Sequence, residues 1–280
     1  MELFRTEKIA DGSYMISYSI KELNALCYLV EGSESALLID TMLGAGSLRD
    51  LCAALTDKPV KVVNTHGHPD HVLGNFEFDS CCIHPLDMHM LRELTDLTAQ
   101  MLKGFAVNDV PPMYRDMITD DMFRDCHPIK AYPLYDGDVF DLGGKKIEVV
   151  GAGGHTAGSV MFIDTDARIA YSGDACNGNT LLEFDHSLPV IGYLRTLLRL
   201  KEHQHKFDMM YGGHEVFDAS IIDEGIETAA RVVAGTDDRC ERTGMTGGTV
   251  YYAAEKVAGG YARKDGKRFN MSYLPDRVLS

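Results

Sequence analysis

Val60-Lys61-Val62-Val63-Asn64-Thr65-His66-Gly67-His68-Pro69-Asp70-His71 is the stretch on which the reading of this chain turns. Residues 60–64 are mostly β-branched and read as a buried strand. The strand runs directly into His66-Gly67-His68-Pro69-Asp70-His71, which carries four ligand-type side chains in six residues. Gly67 removes bulk between two imidazoles, so both can point into one cavity from a loop. Pro69 fixes the turn, and Asp70 and His71 then stand at the start of a short helix. Imidazole and carboxylate suit Zn, Fe or Mn. One tetrahedral ion does not need all four groups, so the run suggests two metals side by side. A lone histidine is usually a surface residue or a satisfied core residue; this density of ligands is not explained that way.

Outward from the run, the pattern is one of strands and helices in two similar batches. On the N-terminal side, 13–20, 25–31 and 36–40 alternate as short strands, and 48–55 reads as a helix. On the C-terminal side, Leu86, Met90, Leu91, Leu94, Leu97, Met101 and Leu102 recur at helical spacing. Pro111-Pro112 opens a second helical stretch with Met113, Met117 and Met122. Strands return at 131–134, 138–141 and 145–150, with Gly143-Gly144 as a hairpin turn. A glycine-rich loop at 151–158 precedes strands 159–164 and 168–172. Its Gly151-Ala152-Gly153-Gly154 is not a dinucleotide loop, because a strand and not a helix follows it. A helix over 188–201 carries Ile191, Leu194 and Leu198 on one face. A strand at 208–211 ends in Gly212-Gly213-His214, and 220–234 is a helix. The tail holds one apolar strand, 249–253, and then a polar stretch to Ser280. This alternation suits sheets covered by helices, an α/β fold. The expected organisation is a single domain over 1–280, with a helical insertion at 84–130 that serves as a substrate lid and a C-terminal extension at 244–280.

Composition narrows the partners. The 280 residues include 27 Lys+Arg and 42 Asp+Glu, a formal net charge of −15. Such a chain repels phosphate backbones, so no nucleic-acid partner is expected. No apolar run has the length of a membrane span, and the N-terminus shows no secretory pattern. Seven cysteines without a Cys-x-x-Cys read as reduced thiols of a cytoplasmic protein. Cys176 reads as a small buried hydrophobe. The expected partner is a small-molecule substrate, with a monomer or a homodimer left open.

His-x-His-x-Asp-His after a buried strand resembles the metallo-β-lactamase superfamily. The other motifs of that family follow in order: a strand ending in Asp40, Gly154-His155-Thr156-Ala157-Gly158-Ser159, Tyr171-Ser172-Gly173-Asp174, and Gly213-His214-Glu215. The resemblance implies a four-layer αββα sandwich with the site at one edge. It implies that His66, His68 and His155 hold a first metal and that Asp70, His71 and His214 hold a second. Asp174 would bridge both, and Asp40 would support the ligand loop from behind. Two Zn2+ per chain are expected, with Fe or Mn as alternatives. The chemistry that follows is attack by a metal-activated hydroxide on a carbonyl, with Asp70 as the catalytic proton acceptor. Asn177 and His186 lie on the loop after Asp174 and are candidate pocket residues. His84, His89, His127, His203 and His205 lack motif context and read as surface or capping groups.

The loop motifs resemble glyoxalase II and acyl-homoserine lactonases. Val216 stands where glyoxalase II has an aromatic residue, and Asn177 where the lactonases have a tyrosine. The resemblance therefore implies a hydrolase of a small ester, thioester or lactone. A phosphodiesterase acting on a small phosphodiester is the alternative, as is a non-hydrolytic protein of the same fold. Di-iron oxidoreductase relatives carry Glu where this chain has His68. The basic tail, with Arg263, Lys264, Lys267, Arg268 and Arg277, reads as a solvated face that could also bind an anion.

Overall fold

The structure, a computed structural model, describes residues 2–258 and 262–280. The chain divides into two compact units, the first ending at Glu148 and the second starting at Val149.

The first unit is built on a seven-stranded sheet whose spatial order follows the chain: β1 (Phe4–Ala10), β2 (Ser13–Tyr18), β3 (Leu26–Glu31), β4 (Ala36–Ile39), β5 (Val60–Val63), β6 (Ser80–Ile83) and β7 (Lys130–Pro133). The first four strands form an antiparallel meander, and β4 to β7 run parallel. The edge strand β1 is charged and largely exposed, which discourages further pairing. The inner strand β4, Ala36-Leu37-Leu38-Ile39, is wholly buried. Helix α1 (Leu48–Leu55) is capped by Ser47, whose side chain accepts the Asp50 N–H. A short turn of helix, α2 (Pro69–Val72), carries Asp70 and His71. In β4 and β5, Ile39 lies opposite Val63. Both strands therefore stop at one edge of the sheet, where Asp40 and Thr65–His66 emerge together. Ligand sites of open α/β sheets lie at such carboxyl ends.

Within 84–130 the structure has two helices, α3 (Met88–Glu93) and α4 (Ala99–Asp109), and several 3₁₀ turns. Thr98 breaks the run by capping α4, its hydroxyl accepting the Met101 N–H. Leu91 and Leu102 join the unit's core, whereas Leu86, Met101, Phe105 and Met113 are exposed. The stretch expected to be helical after Pro111-Pro112 is two 3₁₀ segments, Pro112–Met117 and Asp120–Met122. The hairpin at Gly143-Gly144 joins β8 (Val139–Asp141) to β9 (Lys146–Gly151), and both glycines have positive φ.

Strand β9 belongs with β8 to a six-stranded sheet of order β14-β13-β11-β10-β9-β8. The other strands are β10 (Val160–Asp164), β11 (Ile169–Gly173), β13 (Met209–Gly212) and β14 (Val216–Asp218). Strands β10 and β11 are buried throughout. Strands β11 and β13 are parallel, with Gly173 opposite Gly212. A further sheet of order β12-β17-β16-β15 is made by β12 (Thr180–Leu182), β15 (Cys240–Thr243), β16 (Thr249–Tyr252) and β17 (Met271–Tyr273). Helix α5 (Val190–His203) packs against α6 (Ile221–Val233). The buried positions of α6, Ile221, Ile222, Gly225, Thr228, Ala229 and Val232, follow the 3.6-residue period.

Three expectations are corrected here. The buried stripe of α5 is Val190, Tyr193, Leu197 and Leu200, and Leu198 is half exposed. The aliphatic pattern passes over Tyr193, whose ring is fully buried and whose hydroxyl donates to the Ala175 carbonyl at 2.8 Å. The tail contributes three strands, not one, because β15 and β17 are short and become strands by pairing, β15 with β16 and β17 with both β12 and β16. The basic tail is not a solvated face. Arg263 is buried on Thr228 and the Phe269 carbonyl, Lys267 meets Glu227, and Arg268 meets Glu224 and Asp218. Arg277 donates to the carbonyls of Phe184, Asp185 and Ser187. These cations close the unit on itself.

Candidate metal centre

In the first unit, Asp40 organises the histidine run. Its φ is 61°, a left-handed conformation that aspartate tolerates better than most residues. Buried at 1% exposure, its carboxylate accepts the Thr65 N–H at 2.8 Å, the Thr65 hydroxyl at 2.7 Å and His71 Nδ1–H at 2.8 Å. The third bond places the proton of His71 on Nδ1 and leaves the Nε2 lone pair on the other side of the ring. The second bond commits the Thr65 hydroxyl proton. Thr65 Oγ1, 3.1 Å from His66 Nδ1, therefore accepts from that nitrogen and leaves the His66 Nε2 lone pair outward. One carboxylate thus sets two imidazole tautomers, as supports behind metal ligands do.

The His71 backbone is held as firmly. Its carbonyl accepts from the Thr41 N–H at 2.8 Å and Asn64 Nδ2 at 3.3 Å, and the Thr41 hydroxyl donates to Asn75 Oδ1 at 2.9 Å. Asn64 and Asn75 exchange reciprocal amide bonds of 3.2 and 2.8 Å. Sequence reasoning missed Thr41, Asn64 and Asn75; the signal available was a polar residue ending a buried Val-Val strand.

His66 Nε2 and His68 Nδ1 approach to 3.1 Å. Two nitrogens on one tetrahedral zinc lie about 3.3 Å apart, so the pair fits a shared cation. His71 Nε2 and Asp70 Oδ2 are 3.7 Å apart. Gly67 has a role beyond clearing space for its neighbours. Its N–H donates to Asp87 Oδ2 at 3.0 Å, and a Cβ there would meet the Asp87 carbonyl and Met90 at 3.0 Å. The absence of a side chain lets the start of the 84–130 segment lie against the ligand loop.

In the second unit, Asp174 and His214 leave adjacent parallel strands at the same end. The Gly213 N–H donates to the Gly173 carbonyl at 3.0 Å, and His214 Nε2 lies 3.4 Å from Asp174 Oδ2. His155 Nε2 approaches the same carboxylate oxygen at 3.7 Å. His155 Nδ1 donates to the Leu181 carbonyl at 2.8 Å, an acceptor only, so Nε2 carries the lone pair. The His155 loop is pinned at its carbonyl by the Ser187 hydroxyl at 2.7 Å. Gly154 packs against Tyr193: a Cβ would sit 2.2 Å from Tyr193 Cδ2. Gly154→Ala is expected to displace that buried ring and to cost about 1–3 kcal/mol, as overpacked cores do. Denaturant unfolding is the check, and an unchanged midpoint would contradict the packing described.

The remaining sequence candidates have these places. Asn177 is buried, and its Oδ1 accepts the Asn179 N–H at 2.9 Å, closing a turn. His186 stacks on Phe184 with centroids 5.2 Å apart, and Phe184 meets the His155 ring edge-on at 5.8 Å. Glu215 Oε2 accepts the Gly178 N–H at 3.2 Å and ties the loop after Asp174 to the one bearing His214. His84 is a cap, its Nδ1 accepting the Leu86 N–H. Burial pushes the Cys176 thiol up to about 12, so it is neutral near pH 7 and no thiolate nucleophile.

The sequence profile of the metallo-beta-lactamase superfamily matches residues 20–214, and the chain belongs to that superfamily. Among curated proteins it is 30% identical over 218 residues to "Acyl-coenzyme A thioesterase MBLAC2" of Bos taurus, covering 72% of this chain and 77% of that one. The Homo sapiens protein of the same name is 29% identical with the same coverage. Among solved structures, a metallo-beta-lactamase from Pontibacter korlensis aligns with a TM-score of 0.60 at 18% identity, covering 81% of this chain and 99% of that one. A metallo-beta-lactamase family protein from Thermus thermophilus aligns with a TM-score of 0.54 at 22% identity, covering 81% of each. The fold is the metallo-β-lactamase fold, of mixed sheets and helices, and its histidine and aspartate donors are of the kind that bind metal ions. Among the described residues, no helix is long and apolar enough to cross a membrane.

Proposed function

We propose that the chain is a metal-dependent hydrolase of small acyl thioesters, with esters and lactones as neighbouring substrates. The observation that carries the reading is the similarity to acyl-coenzyme A thioesterases across 72% of this chain. The ligand histidines support it: His66, His71 and His155 are each held in the tautomer that presents Nε2 to a cation. In this reading His66, His68 and His155 hold one metal. Asp70, His71 and His214 hold a second, and Asp174 serves both. Zinc is the expected ion, and iron or manganese accepts the same donors. Bound metal would lower the pKa of water and polarise the substrate carbonyl.

The chain's own residues do the rest. Asp70, about a third exposed, accepts the proton of the attacking water. Asp40 keeps two rings in register throughout. The segment 84–130 covers the acyl group, and its exposed Met101 and Phe105 offer an adaptable apolar wall. The protein acts in the cytoplasm on a small molecule, and a net charge of −15 disfavours polynucleotides.

The test is turnover of acyl-coenzyme A thioesters of increasing chain length, alongside a lactone, bis(p-nitrophenyl) phosphate and single-stranded RNA. Thioester hydrolysis that a chelator abolishes and zinc restores is expected, with longer acyl chains preferred over acetyl. Phosphodiester or RNA cleavage without acyl hydrolysis would replace this reading with the phosphodiesterase one.

A further inference from the structure

We propose that Lys256 and Arg242 form a phosphate-binding subsite for the thiol half of the substrate, on one face of the sheet whose edge strand β12 supports His155. The inference rests on the acyl-thioester reading, since it assigns the part of the substrate that does not react.

Cross-strand register defines that face. Leu181 of β12 lies opposite Ser272 of β17, Ser272 opposite Tyr252 of β16, and Tyr252 opposite Cys240 of β15. Directly opposed residues share a face. Arg242, two residues beyond Cys240, is on it too. The row starts at the residue whose carbonyl holds His155 Nδ1. It reaches Tyr252 after two strand spacings, about 10 Å. There Lys256 Nζ sits 3.7 Å from the centre of the Tyr252 ring and donates to Asn179 Oδ1 at 3.0 Å. Asn179 belongs to the loop that follows Asp174, and bonding through Oδ1 leaves its Nδ2 group to donate. The row thus runs from a support of the proposed reacting centre outward to cationic and amide donors.

The local electrostatics favour an anion there. Burial, and then the charge of Arg242, lower the Lys256 pKa to about 8 against a smaller opposing effect of Glu183. Glu183 accepts the Met245 N–H at 2.7 Å and the Ser272 hydroxyl, which hold it in place and leave its charge as a partial counterweight. Even so, Arg242 acts on Lys256 more strongly than Glu183 does, in a chain of net charge −15. A phosphate bonded by both cations gains charge-assisted hydrogen bonds and screens their mutual repulsion. The basic residues of the tail do not compete for the role, because Arg263, Lys264, Lys267 and Arg268 each meet a carboxylate.

The experiment uses the full-length, metal-loaded protein and two probes with the same thiol arm: coenzyme A, which carries phosphates, and pantetheine, which does not. By titration calorimetry the wild type is expected to bind coenzyme A about tenfold or more tightly than pantetheine, the scale of one or two charge-assisted bonds. In the Arg242→Ala/Lys256→Met variant that ratio should fall toward one, and Lys256→Arg should retain it. The kcat/KM ratio between acyl-coenzyme A and acyl-pantetheine should fall in parallel. A ratio that stays at the wild-type value in the double variant overturns the subsite and leaves the hydrolase reading intact. If neither thioester is hydrolysed by the wild type, the hydrolase reading fails, and the calorimetric ratio still decides whether the phosphates bind here. Should the double variant not fold, Arg242→Ala alone, at an exposed position, is read by the same ratio.

Discussion

Asp174→Ala is expected to lower thioester turnover by about 100-fold or more while leaving the fold in place. Loss of groups that merely support metal ligands already costs about 10–100-fold in affinity or activity, and Asp174 is proposed to serve both metals. The scaffold around it does not depend on its carboxylate. Strands β11 and β13 pair through their backbones, and the Gly213 N–H is held by the Gly173 carbonyl. Far-ultraviolet circular dichroism should therefore be unchanged. Elemental analysis should find close to two equivalents of metal in the wild type and less in the variant. Full activity in a folded Asp174→Ala protein, or a wild type that saturates at one equivalent, would contradict the proposed role.

Asp40 should divide into two effects when replaced two ways. Asp40→Ala removes the acceptor of three buried hydrogen bonds. It also places alanine at a φ of 61°. A buried donor left unsatisfied costs about 1–3 kcal/mol, so a loss of about 3 kcal/mol or more in denaturant unfolding is expected, together with metal affinity. Asp40→Asn tolerates the same backbone conformation and keeps one acceptor oxygen for Thr65 or His71. It lacks the charge and the second oxygen. The asparagine variant should therefore keep most of the stability and still bind metal about 10–100-fold more weakly, because the His66 and His71 tautomers are no longer both imposed. Equal metal affinity in wild type and Asp40→Asn would show that the tautomers are set elsewhere.

Much of the candidate centre is legible along the chain because its ligands are local in sequence. Four ligand types within His66–His71, following a buried strand, specify donor chemistry without any knowledge of tertiary contacts. His155 and His214 are legible as histidines at turn positions after strands, whereas Asp40 and Asp174 stand out only through the motifs shared with the superfamily. What is not legible depends on pairing between distant segments. Strands β15 and β17 have four and three residues and too little period to be seen without their neighbours β16 and β12. The buried stripe of α5 is misplaced by an aliphatic pattern because Tyr193 counts as half polar in sequence, whereas in the structure its hydroxyl finds the Ala175 carbonyl. The basic tail reads as solvated because its acidic partners, Glu224 and Glu227, lie some forty residues away.

Residue chemistry and hydrophobic period, both local, specify which atoms can ligate a metal, that they stand at strand ends, and that the fold is α/β. Neither specifies which nitrogen of each ring is offered, and that choice belongs to tertiary contacts alone. It rests on Asp40 reaching Thr65 and His71, and on His155 reaching the Leu181 carbonyl. A tautomer is set by the hydrogen bond at the opposite nitrogen, and that bond exists only after β4 and β5 pair in parallel with Ile39 beside Val63 and after β12 joins its sheet.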